Sequence, residues 1–489
     1  MSELQAAAVQ YAPCASRPAG RSADLLALGF GTTAAMWSTG YFCRLFGDAV
    51  HPFILFVLLF WWLLAGGFAA GRYTSRGVRG GTYAGLIAGV LNLLIVGSLI
   101  SGETPLDIRA GALLWIPGTL LVSMLLGAAG AAVGRAARSA VTDGTGPAAG
   151  EPDWSGLFAG VAAATTFVLL AAGGLVTGAD EGLAVVDWPN TEGYNMFLYP
   201  FARMTGGVYL EHAHRLLGSL VGLTTLVLAL HVHMTEPRRA LRWLAWTALL
   251  LVIVQGVLGG LRVTGRFTLS TRAEDTDPNI LLALVHGVFG QLVFGLLVLI
   301  AVCRARRWTN APARIESASA RTDRALGFVL VALLVVQLVF GALVRHFTWA
   351  LTQFRHGLAA EPAELARVGS WALHVHITVA VVLVLLAVAT GVRAWGLYER
   401  ARTVQRLGST LLILIGVQIA LGIAALIVTG GAPQYRRPQP PDVAITTLHQ
   451  LVGAALLAWA IMLVLWNYRL LQLPPAARRA AVGQVEPPR

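Results

Sequence analysis

Apolar runs of about twenty residues recur along the whole chain, separated by short polar or glycine-rich stretches. Each run is long enough to cross a ~30 Å hydrocarbon core as a helix. Four come first, at residues 25–43, 52–71, 80–102 and 110–134. Eight follow, at 157–178, 208–232, 241–261, 280–302, 325–344, 370–392, 407–431 and 443–468. Between the two sets a polar stretch with Gly144, Gly146, Pro147, Gly150 and Pro152 marks a linker. The pattern predicts an all-α, polytopic transmembrane protein of twelve spans. Residues 1–135 form a four-helix appendage, 136–153 the linker, 154–307 and 325–470 two four-helix units, 308–324 a cytoplasmic connection and 471–489 a cytoplasmic tail.

The eight later spans are a tandem repeat. One interval maps His212 onto His374 and His214 onto His376, and nearly the same interval maps His286 onto His449, Gln255 onto Gln418 and Gly259 onto Gly422. Each unit has four spans, an even number, so both keep one orientation and relate by an axis along the membrane normal. This predicts two four-helix bundles from one ancestral unit.

Composition agrees with the pattern. Of the 489 residues 56% are hydrophobic and only 12% charged, which excludes an ordinary soluble enzyme. The net charge of +12 is carried by arginine alone, since the chain has no lysine. Arg238, Arg239 and Arg242, then Arg304, Arg306 and Arg307, then Arg400, Arg402 and Arg406, follow alternate spans, whereas the loop with Asp180, Glu181, Asp187 and Glu192 is acidic. That alternation reads as cytoplasmic arginines, with both termini cytoplasmic, in contact with membrane lipid and not with nucleic acid. Cys14, Cys43 and Cys303 stand far apart and support neither a disulfide framework, a zinc site nor covalent haem attachment.

Against this apolar background one stretch stands out, Gly206 to Gly218, with Glu211, His212, His214 and Arg215. Ionisable groups at membrane depth are costly and mark function by default. Glu211 and His214 are three residues apart and share a helix face, while His212 points nearly the opposite way. The second and fourth helices of each unit then carry one matched histidine, His214 with His286 and His376 with His449. Two histidines on facing helices of a bundle are the arrangement that holds a haem iron from both sides. Interhelical hydrogen bonding is the bland reading of any one of them, but four in repeat register favour iron ligation. His212 and His374 are the competing ligands. A dinuclear metal centre would need carboxylates beyond Glu211. His231, His233, His346 and His356 read as solvated, at a helix end or near a loop.

The motifs Gly207-x-x-x-Glu211-x-x-His214-Arg215-x-x-Gly218, Gln255-x-x-x-Gly259-Gly260-x-x-Val263-Thr264, His286, and Gly173-Gly174-Leu175-Val176-Thr177 leading to Asp187-Trp188-Pro189 resemble the heme A synthase family. Phe340-Gly341-Ala342-Leu343-Val344-Arg345 is similar in the second unit. The resemblance spans about residues 154–468 and leaves the first four spans unexplained. It implies oxidation of a ring methyl of heme O to the formyl group of heme A, for cytochrome oxidase assembly. It also implies substrate haem in the first unit on His214 and His286, and a haem b cofactor in the second on His376 and His449. Glu211 would be the catalytic group, as proton acceptor or stabiliser of a cationic intermediate. Partners implied are a heme O synthase, the oxidase assembly apparatus and an unidentified electron donor, in a membrane such as the bacterial cytoplasmic membrane. The halves diverge in keeping with this split, because Glu211-x-x-His214-Arg215 is matched by Leu373-x-x-His376-Ile377. Arg215 has two readings, a haem propionate partner or a side chain that snorkels outward. The outer loop carries Asn190 and Thr191 after Pro189 and no cysteine, so a thiol role there is excluded. The alternative functions are a dihaem b-type electron carrier, which needs the histidines but not Glu211, and a haem or small-molecule transporter.

Overall fold

The computed structural model describes residues 22–105, 107–142, 152–264, 280–354, 362–430 and 438–475. It is helical throughout: α1 (Ala23–Leu45), α2 (Pro52–Tyr73), α3 (Gly77–Ile100), α4 (Ala112–Thr142), α5 (Trp154–Gly178), α6 (Gly206–Thr235), α7 (Arg239–Thr264), α8 (Ile280–Arg304), the single turn α9 (Arg306–Thr309), α10 (Ala320–Phe354), α11 (Pro362–Leu397), α12 (Arg402–Val428) and α13 (Pro440–Leu470). With no water in the hydrocarbon to bond the backbone, each apolar run must satisfy its own N–H and C=O groups, and a helix does so. Start signals are local. Asp153 caps α5 through the Gly156 N–H, and Gln439 and Asp442 form a reciprocal capping box at α13.

Among the described residues eleven helices are long and apolar enough to cross a membrane, where the sequence pattern gave twelve. The difference is α1. Its 23 residues suffice in length, but Thr32, Thr33, Ser38 and Thr39 dilute its apolar character. Three of these groups are satisfied inside the protein: Thr33 bonds the Gly29 carbonyl, Ser38 bonds that of Ala34, and Thr39 accepts from Trp62. Helix α4 continues to Thr142, so it occupies residues 136–142 of the expected linker.

In the appendage α2, α3 and α4 pack through small residues. A Cβ on Gly67 or Gly71 of α2 would meet the backbone of Gly127 or Ala131 of α4. Such close approach is how apolar helices associate where lipid offers no hydrophobic drive. The appendage docks on the first bundle, with α1 against α5 and α6, and α3 against the loop that precedes α6.

The two bundles are built alike. Helices α5–α8 close a four-membered ring of neighbours, and α10–α13 close another in the same order. They meet through α5 and α8 of one and α10 and α13 of the other, the first and last helices of each. A two-fold axis between the units requires that use of the same faces on both sides. The connection between them is partly ordered, since Ile315–Glu316 pairs in parallel with Leu471–Gln472.

Candidate functional site

The described structure brings together the histidines that the repeat singled out. The rings of His214 and His286 face each other across the first bundle, 6.5 Å between centroids, and those of His376 and His449 across the second, 6.4 Å. Each ring lies on a glycine of the preceding helix: His214 on Gly173, His286 on Gly259, His376 on Gly341 and His449 on Gly422. A Cβ at any of these glycines would stand 2.9–3.2 Å from the imidazole Cε1. Any larger residue would push the ring away, so glycine here fixes ring position.

Three of these glycines follow a glutamine by one turn. Gln255 donates to the His286 carbonyl at 2.6 Å, Gln337 to the His376 carbonyl at 3.0 Å, and the Gln418 amide lies 3.4 Å from His449 Nε2. Leu169 stands at the fourth such position. The recurrence at Gln337 and Gly341 was legible in the sequence as a third Gln-x-x-x-Gly, beside those at 255 and 418. All four Nδ1 atoms are buried without a hydrogen-bond partner. Among the described residues His212 and His374 pair with no second histidine. His212 is fully buried, its Nδ1 3.1 Å from Thr191 Oγ1, and His374 is exposed with Nδ1 against the Ser370 carbonyl.

Above the first histidine pair, residues 179–205 form a plate. Asn190–Thr191 and Tyr194–Asn195 pair as a two-residue hairpin whose turn, Glu192-Gly193, has positive φ at both positions. The buried Asp187 carboxylate accepts both turn amides, at 2.8 and 2.9 Å. Arg215 holds the plate to α6. It donates to the carbonyls of Asp187, Asn190 and Val185 at 2.7–2.8 Å and to Glu211 Oε1 at 2.7 Å. Glu211 Oε2 accepts the Val185 N–H at 3.0 Å. Both oxygens of Glu211 therefore have partners, and Arg215 neither snorkels nor waits for a ligand. The appendage holds the far edge of the plate. Arg44 of α1 donates to the Met204 carbonyl at 2.7 Å and lies 4.0 Å above the Phe201 ring, while the Tyr194 and Arg203 side chains bond the Glu103 carbonyl.

Two further histidines differ from expectation. His346 is buried, because α10 runs ten residues past the predicted end and carries it in against Gly287 of α8. His231 is buried too, between Ser155 and Phe158 of α5. His233 is exposed and bonds Trp246, and His356 lies outside the described residues.

A membrane protein of two fused four-helix bundles, each with one facing pair of imidazoles, is the class that this fold and these side chains define. The chain belongs to the COX15-CtaA family of cytochrome oxidase assembly proteins, the heme A synthase family, whose model matches residues 195–461. The match opens in the plate and ends inside α13, so α1–α5 lie outside it. No curated protein matches the chain. A role in cytochrome oxidase assembly follows from the family.

The residues present suit a planar iron tetrapyrrole in each bundle. Two imidazoles bound to one metal on opposite sides, at about 2 Å per bond, have ring centres about 6 Å apart, which is the spacing seen. Each ring has a buried nitrogen with no other partner. Among the described residues no cluster of three or more His, Cys, Asp or Glu could hold a bare metal ion, so the two-donor pairs fit an ion that arrives in its own ring of nitrogens.

Proposed function

We propose that the protein oxidises a ring methyl of heme O to the formyl group of heme A. Heme O is the substrate between His214 and His286, and haem b is the resident cofactor between His376 and His449. The observation that carries the reading is chemical asymmetry between two bundles of matched geometry. Both keep the facing imidazoles and the glycines beneath them. Only the first has a carboxylate about one turn before its first histidine and a guanidinium directly after it, under an ordered polar plate. In the second, Leu373 and Ile377 stand in their place, and Ile377 is exposed on the helix surface.

When bound, haem b supplies one-electron chemistry and so connects the substrate to an electron partner. The protein's own groups do the rest. His214 and His286 fix the substrate iron and thereby its ring edge. The plate, held by Arg215 and Asp187, excludes water from the outer side. Glu211, on the His214 face and ion-paired with Arg215 at 2.7 Å, is the base that takes protons released as the methyl is oxidised.

Haem extracted from protein made beside a heme O synthase tests this. Heme A in the extract, absent when the chain is omitted, is expected. Bound haem with no heme A would favour the electron carrier, and no bound haem at all would favour transport.

A further inference from the structure

Two arginines outside the site just described, one from each bundle, converge on the outer end of the seam between the bundles. Arg262 stands three residues beyond Gly259 on α7, about one turn outward of the contact that seats His286. It acts electrostatically on both His214 and His286, and the charges of Glu211 and Asp180 act on it. Its Nη2 rests on Gly182 at the edge of the plate. Arg345 stands four residues beyond Gly341 on α10 but reaches out of its own bundle. Its Nη2 donates to the Thr177 carbonyl of α5 at 2.7 Å and would lie 3.5 Å from a Cβ on Gly178. Both guanidiniums flank the turn at Asp180, and both act on it and on His346. Asp442 of α13 also faces Arg345.

The donors outnumber what the protein offers them. A guanidinium carries five N–H groups. Among the described residues none of Arg262's has a hydrogen-bond acceptor, and Arg345 uses one. Arg215, by contrast, spends four bonds on the plate and Glu211. A planar carboxylate matches the fork of a guanidinium.

We propose that Arg262 and Arg345 form a carboxylate-recognition site for the acidic edge of the tetrapyrrole held by His214 and His286, so that the second bundle completes the substrate site of the first. The inference rests on the haem reading above. It replaces Arg215, whose donors are committed to the loop, with two arginines whose donors are available. It also gives the seam a role beyond packing, because a substrate bound there bridges the two units.

Full-length protein in detergent, titrated with iron protoporphyrin IX and with its dimethyl ester, tests the site. The ester masks both carboxylates and leaves the iron unchanged, and the Soret increment lost in His214→Ala reports the first bundle. The wild type is expected to bind the free acid about tenfold more tightly than the ester. Arg262→Gln and Arg345→Gln should each shrink that preference, and together abolish it, with affinity for the ester unchanged within about twofold. Arg262→Lys should retain part of the preference, which separates lost charge from lost folding. Equal weakening of both ligands, or a preference intact in the double variant, would overturn the site and leave the arginines as seam-packing groups. No Soret increment with either ligand in the wild type would overturn the haem reading and this site with it.

Discussion

Glu211 and Arg215 show what a sequence can and cannot say about single residues. Their presence in an apolar run marked them, and helix periodicity put Glu211 on the His214 face. Their partners are carbonyls and an amide of a loop some thirty residues upstream, and nothing in helical periodicity encodes where a loop's backbone groups will lie. The same holds for His346, whose burial depends on how far α10 continues beside α8. Glu211→Gln keeps an oxygen for the Val185 amide but removes the base. It is expected to insert and bind haem while accumulating heme O or a partly oxidised product, read by chromatography of extracted haem. Near-normal heme A from this variant would end the catalytic assignment. In the second bundle, His376→Ala or His449→Ala should remove a low-spin bis-histidine haem b spectrum with membrane insertion intact. A spectrum unchanged in both variants would shift attention to His374.

At the scale of elements, the periodic features were legible and the irregular ones were not. Every predicted span lies within or close to a helix, because length and apolarity alone decide that question in a membrane. The plate over residues 179–205 and its brace by the appendage had no periodic signal, since they rest on Arg44, Tyr194 and backbone carbonyls. Arg44→Ala removes a charged hydrogen bond to Met204 and a cation–π contact to Phe201, together about 2 kcal/mol. Amides of residues 196–204 should then exchange roughly thirtyfold faster. Unaltered exchange would show that α6 alone holds the plate.

The ends of α6 and α8 beside Glu236 offer a pH test. Glu236, just past α6, is buried, which would raise its pKa, but its bonds to Arg238 and Arg304 at 2.6 and 2.7 Å outweigh burial and bring it down from 4.5 to about 2. A depressed carboxyl pKa stabilises the fold above the unfolded value, and the contribution drains away as pH falls from about 4.5 towards 2. Glu236→Gln should therefore cost about 2–3 kcal/mol near neutral pH. The gap in melting temperature to wild type should narrow across that acid window. A gap independent of pH would show that Glu236 acts by shape alone.

For the whole molecule the remaining question is orientation, and it turns on α1. If only the eleven most apolar helices cross, the two termini fall on opposite sides; if α1 crosses as well, they fall on the same side. The contacts at its two ends decide between these. Its first turn carries Asp24, ion-paired at 2.7 Å with Arg76 in the turn between α2 and α3. Its last turn carries Arg44, bonded to Met204 in the plate that precedes α6. The α2–α3 turn and the plate are at opposite ends of the helical stack, so α1 runs the full thickness from one to the other. Thr33, Ser38 and Thr39 bond within the protein, which lowers the cost that low apolarity would otherwise impose. Twelve crossings are therefore the expected outcome, and the positive-inside bias of the arginine clusters after α6, α8 and α11 predicts cytoplasmic termini. Reporter fusions within residues 180–200 and 438–442 should read as external, and fusions at both termini as cytoplasmic. A cytoplasmic signal from either internal position would invert the assignment. Termini on opposite sides would remove α1 from the set that crosses.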